Sequence, residues 1–217
     1  MADDMIIAVD GPGGVGKSTV SRQVADHFGL AHLDTGAFYR AGALAVLEAG
    51  VDPDDTDAAT EIVAGCEIDQ VDGRTILNGG DVSRVIRSDA VTSAVSPVAA
   101  IPEVRRLLVD RQRRWVSERD NRAVVEGRDI GTVVFPDALL KIYLTADPDE
   151  RARRRAGESG GAHSSVRQAL EQRDTIDSTR ATSPLSVAEG AVVIDTTHLT
   201  LPEVVDLVIA EATARAG

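Results

Sequence analysis

The chain has 217 residues, 43% of them hydrophobic, enough to bury a full core in one domain, and a formal net charge of −12. Aromatics are only 3%, which leaves no platform for stacking bases, and the acidic balance excludes a sequence-independent grip on nucleic acid, which needs cations against phosphates. The single Cys66 excludes an internal disulfide. No apolar stretch is long enough to cross a membrane, and the N-terminus carries no basic region followed by an apolar leader, so a cytoplasmic monomer without nucleic-acid or membrane partners is expected.

Met5 to Val9 is a short apolar run suited to a buried strand, and Ser18 to Phe28 has helical spacing. Between them Gly11-Pro12-Gly13-Gly14-Val15-Gly16-Lys17-Ser18-Thr19 satisfies the Gly-x-x-x-x-Gly-Lys-Ser phosphate-loop pattern. The glycines let backbone N–H groups turn inward, and the helix that follows presents the positive end of its dipole. Lys17 is placed to reach the β- and γ-phosphates of a nucleotide such as ATP, and the Ser18 hydroxyl to join the coordination shell of a magnesium ion. All but Lys17 and Lys141 of the 23 basic residues are arginine. Gly16 and Leu140 precede those lysines, so the Asn-Lys-x-Asp guanine signature of common GTPases is excluded.

Leu30 to Leu33 is a second apolar run, and Ala37 to Ala49 returns to helical character, with Thr35 placed to cap that helix. A further helix is expected over Ala58 to Gly65. Residues 66–86, with Asp72-Gly73 and Asn78-Gly79-Gly80, read as a small antiparallel insertion of short strands and tight turns. Arg87 to Ala100 and Glu103 to Glu118 read as helices, the second with Pro102 in its first turn. Strands are expected at Ala123 to Glu126, Leu139 to Thr145 and Ala191 to Ile194. Helices are expected at Pro148 to Ala156, Val166 to Thr179 and Pro202 to Ala214, with a loose stretch over Gly157 to Ser165. Alternating strands and helices predict an α/β fold: a phosphate-loop parallel sheet flanked by helices, with ligands beyond the carboxyl ends of the strands.

Five clusters could supply the remaining chemistry. Asp34, Thr35, Tyr39 and Arg40 follow the second strand. Arg128-Asp129, between Gly127 and Gly131, either faces a ligand or forms an ion pair near a turn. Ser96 and Arg105 lie in a helical region whose other arginines read as a solvated face. Arg151, Arg154 and Arg155 share a helix face; they either pair with Asp147 and Glu150 or ride a lid onto phosphates. Arg173, Asp177 and Arg180 form a row at i, i+4 and i+7. The Asp195-Thr196-Thr197-His198 loop is either a wall for adenine or a plain connection.

These pieces together resemble the bacterial cytidylate kinases, of the nucleoside monophosphate kinase group, over essentially the whole chain. Gly11 to Thr19, Asp34 to Arg40, Val82 to Arg87, Ser96 to Arg105, Glu150 to Arg155 and Arg173 to Arg180 carry the resemblance. The most specific block is Gly127-Arg128-Asp129-Ile130-Gly131-Thr132-Val133-Val134-Phe135-Pro136. The resemblance implies one kinase domain over 1–217, with a monophosphate-binding part at 34–100 that includes the 66–86 insertion, and a mobile lid at 148–178. It implies transfer of the γ-phosphoryl group of ATP to CMP or dCMP, with Mg2+. Arg40 and Arg128 would hold the acceptor phosphate, while Thr35, Arg105, Asp129 and Arg180 would face cytosine, and Ser96, Arg173 and Asp177 the sugar. Lys17, Arg128, Asp129, Arg151 and Arg154 would carry the reaction, with Arg155 beside the ATP. Another small-molecule phosphate-loop kinase, or a nucleotide-hydrolysing switch, is the alternative.

Overall fold

The computed structural model describes residues 4–160, 162–179 and 183–216. Two compact units divide the chain: residues 1–32 with 119–217, and Leu33–Glu118. Among the described residues no helix is long and apolar enough to cross a membrane.

The first unit is built on a parallel sheet of β1 (Met5–Asp10), β2 (Ala31–Asp34), β6 (Arg122–Gly127), β7 (Leu140–Thr145) and β8 (Val192–Asp195), in the order β2-β6-β1-β7-β8. β1 is central, its Asp10 level with Gly127 on one side and Tyr143 on the other. The chain moves to one side of β1 for β6 and to the other for β7, so the carboxyl end of β1 lies at the switch point where such sheets bind ligands. α1 (Lys17–Phe28) and α8 (Leu201–Ala216) pack on each other, and their Val20, Val24 and Val208 close over Ile7, Val9, Ile142 and Leu144. With almost no aromatics available, this core rests on branched aliphatics, which suit strands buried on both faces.

α6 (Pro148–Ser159) and α7 (His163–Thr179) complete the first unit and pack on each other. The loose stretch expected at 157–165 is therefore short. α6 runs on through Gly157, which a helix tolerates at modest cost, and ends at Gly160, whose left-handed backbone (φ 71°) returns its N–H to the Ala156 carbonyl. Between β6 and β7, Ile130–Val134 forms a single π-helical turn. Its β-branched residues give no helical spacing from which to foresee it.

The second unit packs α2 (Thr35–Glu48), α3 (Thr56–Gly65), α4 (Asp89–Ala100) and α5 (Pro102–Ser117) around Ala41, Val46, Val63, Val98 and Leu108. The expected antiparallel insertion is present as β3 (Ile68–Val71), β4 (Arg74–Leu77) and β5 (Gly80–Asp81), followed by a 3-10 turn at Val85–Arg87. Its Gln70 is buried. Its amide donates to the Asp34 carbonyl (2.7 Å) and accepts from the Asp34 N–H (3.0 Å), while its own backbone carbonyl takes the Trp115 indole N–H (3.1 Å). One side chain thus ties the insertion to the entry of α2. That entry is capped by Asp34, not by Thr35: the Asp34 carboxylate accepts from the Ala37 N–H at 3.1 Å. Thr35 is already the first helical residue, one position too late for its hydroxyl to serve as the cap.

Candidate active site

The glycine loop leaves β1 through Gly11, whose φ of 145° no side-chain-bearing residue adopts readily. A Cβ there would lie 2.1 Å from the Leu144 carbonyl oxygen of β7, and one at Gly14 2.8 Å from that of Arg151. Close backbone approach therefore fixes these glycines, independently of any ligand. Lys17 folds over the loop and donates to the Gly11 and Pro12 carbonyls at 2.7 and 2.8 Å. Burial, then the nearby Arg128 guanidinium, lowers its ammonium from 10.5 to about 7.

Three residues that the sequence reading did not single out frame this loop. Asp10, buried at the end of β1, accepts from the Ile130 and Gly131 N–H groups at 2.8 Å each, one per carboxyl oxygen, and so anchors the π-helical turn. Glu126, at the end of β6, accepts from the Ser18 hydroxyl at 2.8 Å and meets His32 at 3.0 Å. The signal of the two acids in the sequence is a carboxylate at the end of an otherwise apolar strand, as in Ile-Ile-Ala-Val-Asp and Ala-Val-Val-Glu, whereas His32 carries none.

Burial raises the Asp10 carboxyl from 3.8 to about 6 despite the two backbone donors. A raised acid favours folding while it stays protonated, so its contribution is complete below about pH 4 and lost as pH rises through 6. Urea denaturation of the wild type should show a loss on the order of 3 kcal/mol across that window. In Asp10→Asn that part of the pH dependence should vanish.

Arg128 and Arg151 are brought to the same loop. The Arg128 guanidinium donates to the Gly11 carbonyl at 2.8 Å, pairs with Asp177 at 3.0 Å and stands 3.8 Å from Asp174. Arg151 donates to the Gly13 carbonyl at 3.3 Å and forms a short ion pair with Asp174. α7 thus sets two carboxylates against two arginines, and Arg173 lies 3.9 Å from Asp177. Burial, followed by repulsion from Arg173, pushes the Arg128 pKa down, so the site favours an anion beside it.

Two further arginines of α6 turn to the helix's own Glu150. Arg153 and Arg154 both bond Glu150, whose carboxyl they hold down to about 2, and Arg154 also donates to the Thr196 hydroxyl and carbonyl at 2.9 and 2.6 Å. The shared face of Arg151 and Arg154 therefore divides between the glycine loop and the 195–198 loop. Of the pairing partners expected from sequence, Glu150 serves, whereas Asp147 caps its own helix by accepting from Asp149 N–H. Arg155 is half-buried on the same helix. Asp129 is buried at the head of the π-helical turn, its carbonyl accepting from Val133 N–H at 2.9 Å.

In the second unit Arg40 donates to the Ile86 carbonyl at 3.1 Å and the Thr92 hydroxyl at 2.9 Å. Arg105 is buried, donates to the Ala99 carbonyl at 3.2 Å and lies with its guanidinium 5.2 Å from the centre of the Tyr39 ring. Thr35 is buried and Ser96 half-buried. Arg180 lies outside the described residues.

A lysine and two arginines gathered at a glycine loop beyond a parallel sheet are the equipment of the phosphate-loop kinases, and similarity of fold agrees. The chain matches a solved sugar kinase from Janibacter sp. HTCC2649 with a TM-score of 0.50, covering 96% of this chain and 94% of that one, at 14% identity. At that identity the likeness concerns the fold alone. Sequence comparison is more particular. The family model described as cytidylate kinase matches residues 7–214. The cytidylate kinase of Mycobacterium leprae (strain Br4923) is 50% identical over 93% of this chain and 92% of its own length, and that of Rhodococcus opacus (strain B4) is 46% identical over 98% and 96%. The chain belongs to the cytidylate kinase family.

Proposed function

We propose that the protein transfers the γ-phosphoryl group of ATP to the 5′-phosphate of CMP or dCMP, giving ADP and CDP or dCDP. The observation that carries this reading is the family match over residues 7–214, together with a cationic glycine loop at the switch point of the sheet. The attacking oxygen of a monophosphate is already anionic, so the chain need supply no general base. Its tasks are in-line positioning and charge neutralisation. Lys17 and the loop N–H groups from Gly13 to Thr19 hold the donor phosphates, with Arg151, Arg154 and Arg155 on the same side. Arg128 and Arg40 hold the acceptor phosphate. Asp129, Thr35, Arg105 and Arg180 face the base, and Ser96, Arg173 and Asp177 the sugar.

The donor set also fits magnesium. Ser18 spends its one proton on Glu126 and keeps its lone pairs. Among the described residues no group of three His, Cys, Asp or Glu side chains could hold a metal alone. A hydroxyl backed by a carboxylate suits a hard ion that draws most of its shell from phosphate and water. When bound, the ion would neutralise charge developing on the transferred group. Residues 148–178 serve as the lid over the phosphates.

A panel of nucleoside monophosphates with Mg-ATP tests the reading. ADP release should be strong only with CMP and dCMP, whereas release without any acceptor would indicate a hydrolase. Cytosine offers an amino donor that uracil lacks, so Asp129→Ala should lose most of the preference for CMP over UMP. Full retention of that preference would remove Asp129 from base recognition.

A further inference from the structure

Glu126 is held from two directions. Its Oε2 accepts from Ser18, and its Oε1 lies 3.0 Å from Nε2 of His32, on β2. The His32 and Glu126 side chains are only 13% and 4% exposed. An ionised carboxylate only accepts, so the hydrogen of this bond sits on Nε2 and His32 is the donor. With both oxygens engaged, the carboxylate cannot turn about its last torsion without breaking a buried bond. Released from His32, the carboxylate loses that orientation, and the Ser18 hydroxyl is left to rotate.

We infer that His32 is a positioning residue for the metal-nucleotide half of the site: by fixing Glu126, it keeps the Ser18 proton on that carboxylate and the Ser18 lone pairs directed at a bound magnesium ion. The inference rests on the donor side of the proposed reaction and is independent of which monophosphate accepts. It acts across two bonds, and His32 touches neither nucleotide nor metal.

Binding of ADP to full-length protein, measured by calorimetry with and without Mg2+, tests it, with Mn2+ binding in the presence of ADP followed by electron paramagnetic resonance. His32→Leu should weaken binding of the metal-nucleotide pair about tenfold, as loss of an outer-shell partner does. Metal-free ADP binding should change less than twofold, and KM for CMP should stay put. His32→Gln, which keeps an N–H donor, should recover most of the loss, and in a Glu126→Gln background the His32→Leu effect should disappear. Equal weakening of ADP with and without metal, or no weakening in either, overturns the inference. Should His32→Leu fail to fold, His32→Asn, whose amide falls short of Glu126, replaces it in the same comparison. A wild type that binds Mg-ADP but does not phosphorylate CMP would refute the substrate reading and leave this test intact.

Discussion

Replacement of Lys17 by methionine is expected to lower turnover by about a hundredfold to a thousandfold, the loss typical of removing one preorganised donor from a developing charge. Methionine keeps the length of the stem and removes the ammonium, so the loop should persist, its glycines being fixed by backbone approach to Leu144 and Arg151. The same side chain has a pH signature. Its ammonium lies near 7, and polyphosphate placed against it must raise that value. Nucleotide binding should therefore take up protons around pH 7 to 8. Affinity should be complete below 7 and decline as pH rises past it. Calorimetry in buffers of different ionisation enthalpy measures the uptake, and Lys17→Met should abolish it. A variant with wild-type turnover and unchanged proton uptake would remove Lys17 from the reaction.

Arg128→Ala should be nearly as damaging, and in two separable ways. The guanidinium neutralises Asp177, with Asp174 beside it, and satisfies the Gly11 carbonyl. Removing it takes the nearest cation from the buried Asp177, with Arg173 left 3.9 Å away, at about 3 kcal/mol of stability. As the proposed holder of the acceptor phosphate, its loss should also lower kcat/KM for CMP by at least about a hundredfold, with KM for ATP far less affected. Adding Asp177→Asn should return much of the stability without restoring activity. If activity returned with stability, Arg128 would be a structural residue only.

The phosphate loop was legible because its glycines answer to local geometry, strand to turn to helix, within nine residues. The alternation of apolar runs and helical spacing likewise points to the parallel sheet, and the turns at Asp72-Gly73 and Asn78-Gly79-Gly80 point to the insertion at 66–86. What sequence could not show was pairing at a distance. Asp10 and Glu126 end strands that are far apart in the chain, and only the parallel register of β1 beside β6 brings Asp10 under the Ile130 turn and Glu126 to Ser18. The sequence leaves Arg128 either a ligand-facing charge or half of an ion pair, and its pairing with Asp177 depends on where α7 packs. At the entry to α2, Asp34 and Thr35 are adjacent residues of similar capping tendency. One residue of register decided between them, which propensity alone does not resolve.

Three consecutive carbonyls of the glycine loop have a bearing on ligand choice. Gly11 serves Lys17 and Arg128, Pro12 serves Lys17, and Gly13 serves Arg151, while Asp174 and Asp177 complete the two guanidiniums. Each of these three cations is already partnered by the chain itself. A chloride or a lone carboxylate offers too few acceptor sites to replace those bonds at once, whereas a polyphosphate offers enough to replace them together. The loop therefore sorts anions by valence before shape enters, and common salts should compete poorly with nucleotide for it.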